Sequence, residues 1–208
     1  MTTAGTTRGG DGDLFAALPE TDPDAQRRLH ARLAAAADRA GILDVAYRTV
    51  DTPVGTLLLA ATERGLVRVA YPREGHDRVL DQLAGTVSPR VLHAPARLEV
   101  AARELEEYFA GRRSRFDLPL DLQLARGFRR AVLSRLTEIG YGRTASYAAV
   151  AAAAGNPRAV RAVGTACATN PLPVVVPCHR VVRSDGTVGQ YAGGTDAKKA
   201  LLALEAGA

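Results

Sequence analysis

The sequence predicts a mixed α/β (α+β) chain in two units, a small N-terminal one built on an antiparallel sheet and a helical C-terminal one. Three observations point there. β-rich runs recur between residues 45 and 71, helical spacing dominates after residue 126, and the charge balance changes between the two halves. The expected division is residues 1–43 as a head and first helix, 44–120 as the α/β unit, and 121–208 as the C-terminal unit.

The chain has 208 residues, 47% of them hydrophobic and 24% charged, the profile of a soluble globular protein. Trp is absent and aromatics make up 5%, so the core must be mostly Ala, Val and Leu. No apolar run is long enough for a membrane span, and the start MTTAGTTRGGDGD lacks the apolar stretch of a secretory signal. The two cysteines, Cys167 and Cys178, are too few for a disulfide framework and lack the partners of a cysteine-based zinc site. A reducing, cytoplasmic setting is expected, with no membrane partner and no cofactor.

Taken in order, residues 1–20 are rich in Gly, Thr and Asp and read as a disordered head. Asp22 before Pro23 is a helix N-cap with proline at the first helical position. Leu29, Leu33 and Ala36–Ala37 then form an apolar stripe that stops at Gly41, giving a helix over about 23–40. From Val45 three β-rich runs are broken at Thr52-Pro53 with Gly55 and at Arg64-Gly65, the pattern of an antiparallel meander. Leu98, Ala101, Leu105 and Phe109 return to helical spacing over 97–110, and Phe116 to Leu122, carrying Pro119, reads as a strand and linker.

The second unit opens with a helix over about 126–139 carrying Phe128, Val132, Leu133 and Leu136 on its apolar face. Thr144 and Ser146 precede Tyr147 and an Ala-rich run, Gly155-Asn156-Pro157 interrupts, and helical spacing resumes over 158–168. That is the outline of a helix-turn-helix, with Arg158 and Arg161 on the first turns of its second helix. Residues 121–208 hold 11 basic and 5 acidic side chains, against 16 and 17 in residues 1–120. Such an excess is the electrostatic footprint of a nucleic-acid binder, and it also follows from Arg-rich coding, since 25 of the 27 basic residues are Arg.

The segment NPLPVVVPCHRVVRSDGTVGQYAGG, residues 170–194, carries the chemistry. Three valines bounded by prolines predict a buried strand end from which Cys178 emerges beside His179 and Arg180. A free thiol near pKa 8.5 needs a base or a cation to act as a nucleophile at neutral pH, and both neighbours are candidates. Adjacent strand residues face opposite ways, so the His179 to Cys178 link should run through a water or a turn.

Residues 144–205 closely resemble the O6-alkylguanine-DNA alkyltransferase family. The hallmark Pro-Cys-His-Arg-Val stands at Pro177 to Val181. Around it come TASY ending at Tyr147, GNPRAVRAVG from Gly155 to Gly164, Asn170-Pro171, GQYAGG from residue 189 to 194, and KKALLALE ending at Glu205. The resemblance implies a ribonuclease-H-like N-terminal unit and a winged-helix-like DNA-binding C-terminal domain. It further implies that Cys178 takes an alkyl group from O6 of guanine, or O4 of thymine, in one irreversible step on double-stranded DNA, acting as a monomer. Glu205 would orient His179, which would deprotonate Cys178 through a water. Tyr147 would serve the leaving guanine, and Asn170 would tie the helix-turn-helix to the active-site segment. Arg161 would replace the extruded base, with Arg158, Thr144 and Ser146 as further DNA contacts. The Val181 carbonyl, Tyr191 and Ala192 would hold the base.

The chain departs from the family in reading Ile139-Gly140-Tyr141-Gly142 where Ile-Pro-Tyr-Gly is frequent, and in having Leu133 where a Trp is expected. No cysteine precedes Cys167 and the histidines, His30, His76, His93 and His179, are scattered, so no metal is expected. Two other functions compete. A non-catalytic lesion binder of this kind lacks the cysteine that Cys178 supplies, and a thiol hydrolase would have no use for a basic helix-turn-helix.

Overall fold

In a computed structural model the protein is described over residues 22–207, so the head expected at residues 1–20 lies outside the described residues. Helix α1 (Pro23–Arg39) begins where the sequence places it, with Asp22 accepting from the Asp24 amide at 2.9 Å. Its packing face differs from the expected one. Ala34 and Ala37 are buried, whereas Leu29 and Leu33 are 63% and 54% exposed. The small alanines allow close approach to the sheet, and Arg97 secures the helix through Asp38 at 3.0 Å.

The meander forms as β1 (Val45–Val50), β2 (Leu57–Thr62) and β3 (Gly65–Ala70), each antiparallel to the next. Helix α2 (His76–Thr86) then carries the chain to β4 (Val91–His93), which pairs parallel to β1, giving the order β3-β2-β1-β4. The sheet is therefore mixed rather than purely antiparallel. Sequence reading passed over α2 and β4, although Val79 and Leu83 repeat at helical spacing and are buried. Helix α3 (Glu99–Phe109) follows a 3-10 turn, Pro95–Leu98. The segment expected as a strand near Phe116 to Leu122 makes a single parallel bridge, Leu66 to Leu120, in which Leu66 donates to the Pro119 carbonyl at 2.9 Å. Pro119 itself has no amide to extend a ladder.

The second half packs α4 (Gly127–Leu136), α5 (Tyr147–Ala153) and α6 (Val160–Ala168) around Val132, Leu133, Leu136, Val150 and Val163, then closes with α7 (Gly194–Ala206). A short parallel pair, β5 (Ala145–Ser146) with β6 (Val181–Val182), fixes the chain before Tyr147 against the chain after Cys178. No helix among the described residues is long and apolar enough to cross a membrane. The halves meet where the β3 amide of Val69 donates to the Pro171 carbonyl at 2.8 Å, so the edge of the sheet buttresses the segment that leads to Cys178.

Candidate active site

Residues 171–177 contain no strand, contrary to expectation. Prolines at 171, 173 and 177 remove three amide donors, so no ladder can form despite the β-prone valines. The Asn170 side chain supplies the missing order. Its amide donates to the Val176 carbonyl at 2.9 Å and lies 3.1 Å from Cys178 Sγ, and its carbonyl oxygen accepts from the Leu172 amide at 2.9 Å. Val174, buried, is held at φ 74°, a conformation costly for a β-branched residue and maintained by this strapping. Cys178 then opens a 3-10 turn, Cys178–Arg180, rather than ending a strand.

Cys178 is 1% exposed. Burial pushes its thiol up to about 11, with the Asn170 hydrogen bond and the Lys198 charge pulling the other way. The second thiol, Cys167, is driven by burial to about 12.

Beside Cys178 lies a buried network centred on Glu205. Its Oε1 is 2.8 Å from His179 Nε2 and accepts from Tyr108 Oη at 2.7 Å, and Arg180 clamps both carboxylate oxygens through Nε and Nη2 at 2.9 Å each. The Gly142 amide adds a donor to Oε2 at 3.1 Å. Gly142 has φ +68°, and a Cβ there would sit 3.0 Å from the Glu205 carbonyl oxygen, so this approach needs glycine. Burial alone would raise the Glu205 carboxyl, but the hydrogen bonds from His179, Arg180 and Tyr108 outweigh it and hold it at about 2. An ionised Glu205 can only accept, so His179 Nε2 carries the hydrogen, and Nδ1, buried and without a hydrogen-bond partner, is left as the bare acceptor. Burial pushes the imidazole below its ordinary pKa, so it is neutral and able to take a proton.

Sequence reading offered Arg180 as an activator of Cys178. Its guanidinium is instead spent on Glu205 and on the Ile139 carbonyl. Tyr108, from α3 of the first half, and Lys198 were missed. Tyr108 lies 71 residues from His179 and gives no local signal. Lys198 could have been noticed, because Ala197, Lys198, Leu201 and Glu205 share the buried stripe of α7 and a lysine there is anomalous.

The predicted base-side residues gather around the same turn. The Val181 carbonyl accepts from Lys198 Nζ at 2.6 Å, leaving a second lone pair. Tyr147 opens α5, and its hydroxyl lies against Gly189, where a Cβ would oblige the phenol to shift. Burial raises its phenol, and the thiols of Cys167 and Cys178 raise it further. Tyr191 is buried, edge-on to His179 at 6.3 Å between ring centroids, and its hydroxyl meets Tyr71 of the first half at 3.2 Å; Ala192 beside it is half-buried.

The remaining predicted residues lie apart from this cluster. Arg161 is exposed on α6, and Arg158, also exposed, sits in the turn before α6 rather than on it. Thr144 is exposed, and the Ser146 hydroxyl caps α5 by accepting from the Ala149 amide at 3.1 Å. Among the described residues, no three His, Cys, Asp or Glu side chains are placed to share a metal ion.

Comparison with known proteins agrees across both halves. Residues 45–122 match the family described as 6-O-methylguanine DNA methyltransferase, ribonuclease-like domain, and residues 127–207 match its DNA binding domain. A methylated-DNA–protein-cysteine methyltransferase of Methanosarcina barkeri is 38% identical over 159 residues, 76% of this chain and 96% of that protein. One of Mycolicibacterium paratuberculosis is 40% identical over 161 residues, 77% of this chain and 92% of its own length. The structure of Mycobacterium tuberculosis OGT in complex with DNA superposes with a TM-score of 0.67 at 37% identity, covering 78% of this chain and 93% of that one.

Proposed function

Because the chain belongs to the O6-alkylguanine-DNA alkyltransferase family and repairs DNA by transferring an alkyl group to a cysteine, we propose that the acceptor is Cys178 and that the substrate is double-stranded DNA containing O6-alkylguanine. The observation that carries this reading is the buried chain Glu205–His179 beside a buried thiol, with His179 Nδ1 as the free acceptor.

His179 Nδ1 takes the Cys178 proton through a bridging water, and the Glu205 carboxylate stabilises the imidazolium that forms. The sulfur attacks the alkyl carbon, an S–C bond forms, the C–O6 bond breaks, and its electron pair passes into the guanine ring. The guanine gains a proton from Tyr147, and the thiol's proton, held on the His179 imidazolium, balances the phenolate left behind. A thioether has no route back to a thiol, and the protein is consumed with each lesion. Cys178 is buried, so the base must leave the stack to reach it. Arg161 fills the gap, Arg158, Thr144 and Ser146 hold the flanking duplex, and the Val181 carbonyl, Tyr191 and Ala192 hold the extruded base. The working boundaries are residues 44–120 and 121–208. The protein acts as a monomer in a reducing cytoplasm, where a free thiol persists.

Intact-mass measurement after mixing with duplex bearing O6-methylguanine tests this. One methyl per chain is expected, located on Cys178, with none on Cys178→Ser. Methyl on Cys167, or more than one per chain, overturns the reading. In the same assay Arg161→Ala should slow repair of duplex more than dealkylation of the free base.

A further inference from the structure

Lys198 is a buried charge that the reaction above does not use. Its side chain is fully buried, with 0% exposure, a rare state for lysine without a charged partner. Among the described residues it makes no ion pair: Glu205, two turns further along the same buried face of α7, is occupied by Arg180 and His179, and Asp196 is exposed. What holds Lys198 is weaker than a carboxylate. Nζ donates to the Val181 carbonyl at 2.6 Å and lies 6.0 Å from the centre of the Tyr147 ring.

The groups around Cys178 come from every neighbouring element. They are Cys167 of α6 and Asn170 after it, His179 and Arg180 of its own turn, Tyr147 of α5, Tyr191 before α7, Tyr71 of the first half, and Lys198 and Glu205 of α7, with Tyr108 behind Glu205. Arg180 is neutralised by Glu205 and His179 is uncharged before proton transfer, so the site contains one uncompensated cation and two buried thiols, of which Cys178 is raised less by burial than Cys167. We propose that Lys198 is the counter-charge of the Cys178 thiolate, an ammonium anchored by the Val181 carbonyl and left without a carboxylate so that the sulfur supplies the missing negative charge. It is a positioning residue, acting on the sulfur through space. This inference rests on Cys178 being the alkyl acceptor.

The direction of the electrostatics agrees. Burial pulls the Lys198 ammonium below its usual range, an ionised Cys178 or Cys167 would raise it, and Lys198 in turn draws both thiols down, so the titration must be read on Cys178 alone. When the sulfur is alkylated the negative charge disappears, and Lys198 is again unpaired in a buried site. The ion pair is thus present only along the reaction path, the arrangement that favours a transition state over a ground state.

Two variants and one titration test this. Lys198→Gln keeps a donor toward Val181 and removes the charge, and Lys198→Arg keeps a cation. Thiolate absorbance against pH, with Cys178→Ser subtracted, should show the Cys178 midpoint raised by about one unit or more in Lys198→Gln. Single-turnover methyl transfer from O6-methylguanine duplex should fall about tenfold at neutral pH in that variant, the deficit shrinking as pH rises, with Lys198→Arg restoring the parental midpoint. A merely structural role would change melting temperature and leave the thiolate midpoint where it is in the parent, and that result overturns the proposal. Should Lys198→Gln not fold, the parent itself is informative, because Lys198 and Lys199 are the only lysines in the chain. Nitrogen NMR of the labelled ammonium groups should show Lys198 titrating lower in Cys178→Ser than in the parent, and an unchanged titration overturns the proposal. If the parent transfers no methyl at all, it is the assignment of Cys178 as acceptor that fails.

Discussion

Among the described residues the first half buries one charged side chain, Glu104, and a second, Asp121, stands where the two halves join; both serve the backbone there. Glu104 accepts from the Asp117 amide at 2.9 Å, and Asp121 accepts from Thr62 at 2.6 Å and from the Gln123 amide at 3.1 Å. The second half buries Asn170, His179, Arg180, Lys198 and Glu205, on the turn that bears Cys178, on the helix packed against it, or, for Asn170, at the start of the segment that leads to the turn. Solvating charge with fixed dipoles is costly, and proteins that need only stability use apolar cores. The contrast separates a scaffold, whose buried charges close loops, from the candidate site, whose buried polar groups cluster around one thiol. The separation is not complete, because the first half sends Tyr108 into the Glu205 network and Tyr71 to Tyr191.

The largest effect that would break this division is at His179. If the second half alone holds the base, His179→Ala should lower single-turnover transfer by about 10² to 10⁴ at neutral pH with lesion binding nearly unchanged. A parental rate across neutral pH would remove the imidazole from the mechanism.

Glu205→Gln comes next and is read by stability. The carboxyl is held at about 2, well below an ordinary glutamate near 4.3, so its contribution is fully present above pH ~4.3 and is lost as pH falls toward 2. That shift corresponds to about 3 kcal/mol. Denaturant unfolding at neutral pH should show a loss of that order in Glu205→Gln, together with a flattened acid limb between pH ~4 and ~2. An acid limb identical to the parent's would show that Glu205 is not the group being protonated.

Tyr108→Phe sharpens the boundary between the halves. Removing one hydroxyl that donates to a buried carboxylate should cost about 1.5–3 kcal/mol in unfolding, although the residue belongs to the scaffold. The exposed pair Arg135–Glu138 is the internal control, since disrupting it should change stability by roughly 0–1 kcal/mol. Equal effects at the two positions would mean that the first half adds no more to the site than a surface ion pair does.

Several parts of this protein are written locally and were legible. The Asp22 cap, the meander, the two short helices around Gly155, and the order of Asn170, Cys178, His179 and Glu205 all follow from propensity, periodicity or motif, which act over a few residues. The run Pro171 to Pro177 shows where that reasoning fails. Its valines favour a strand, but prolines deny the ladder its donors, and only the folded chain shows that Asn170 provides the substitute.

The sequence by itself determined which residues could do the chemistry, because a thiol, an imidazole and a carboxylate are properties of side chains. The tertiary structure decided their charge states and their company. It spent Arg180 on Glu205 instead of on the thiol, bared Nδ1 of His179, brought Tyr108 from 97 residues away to Glu205, and stranded Lys198 beneath the Val181 carbonyl. Those outcomes depend on distances and on exclusion of water, and both arise only when segments far apart in the chain are packed together.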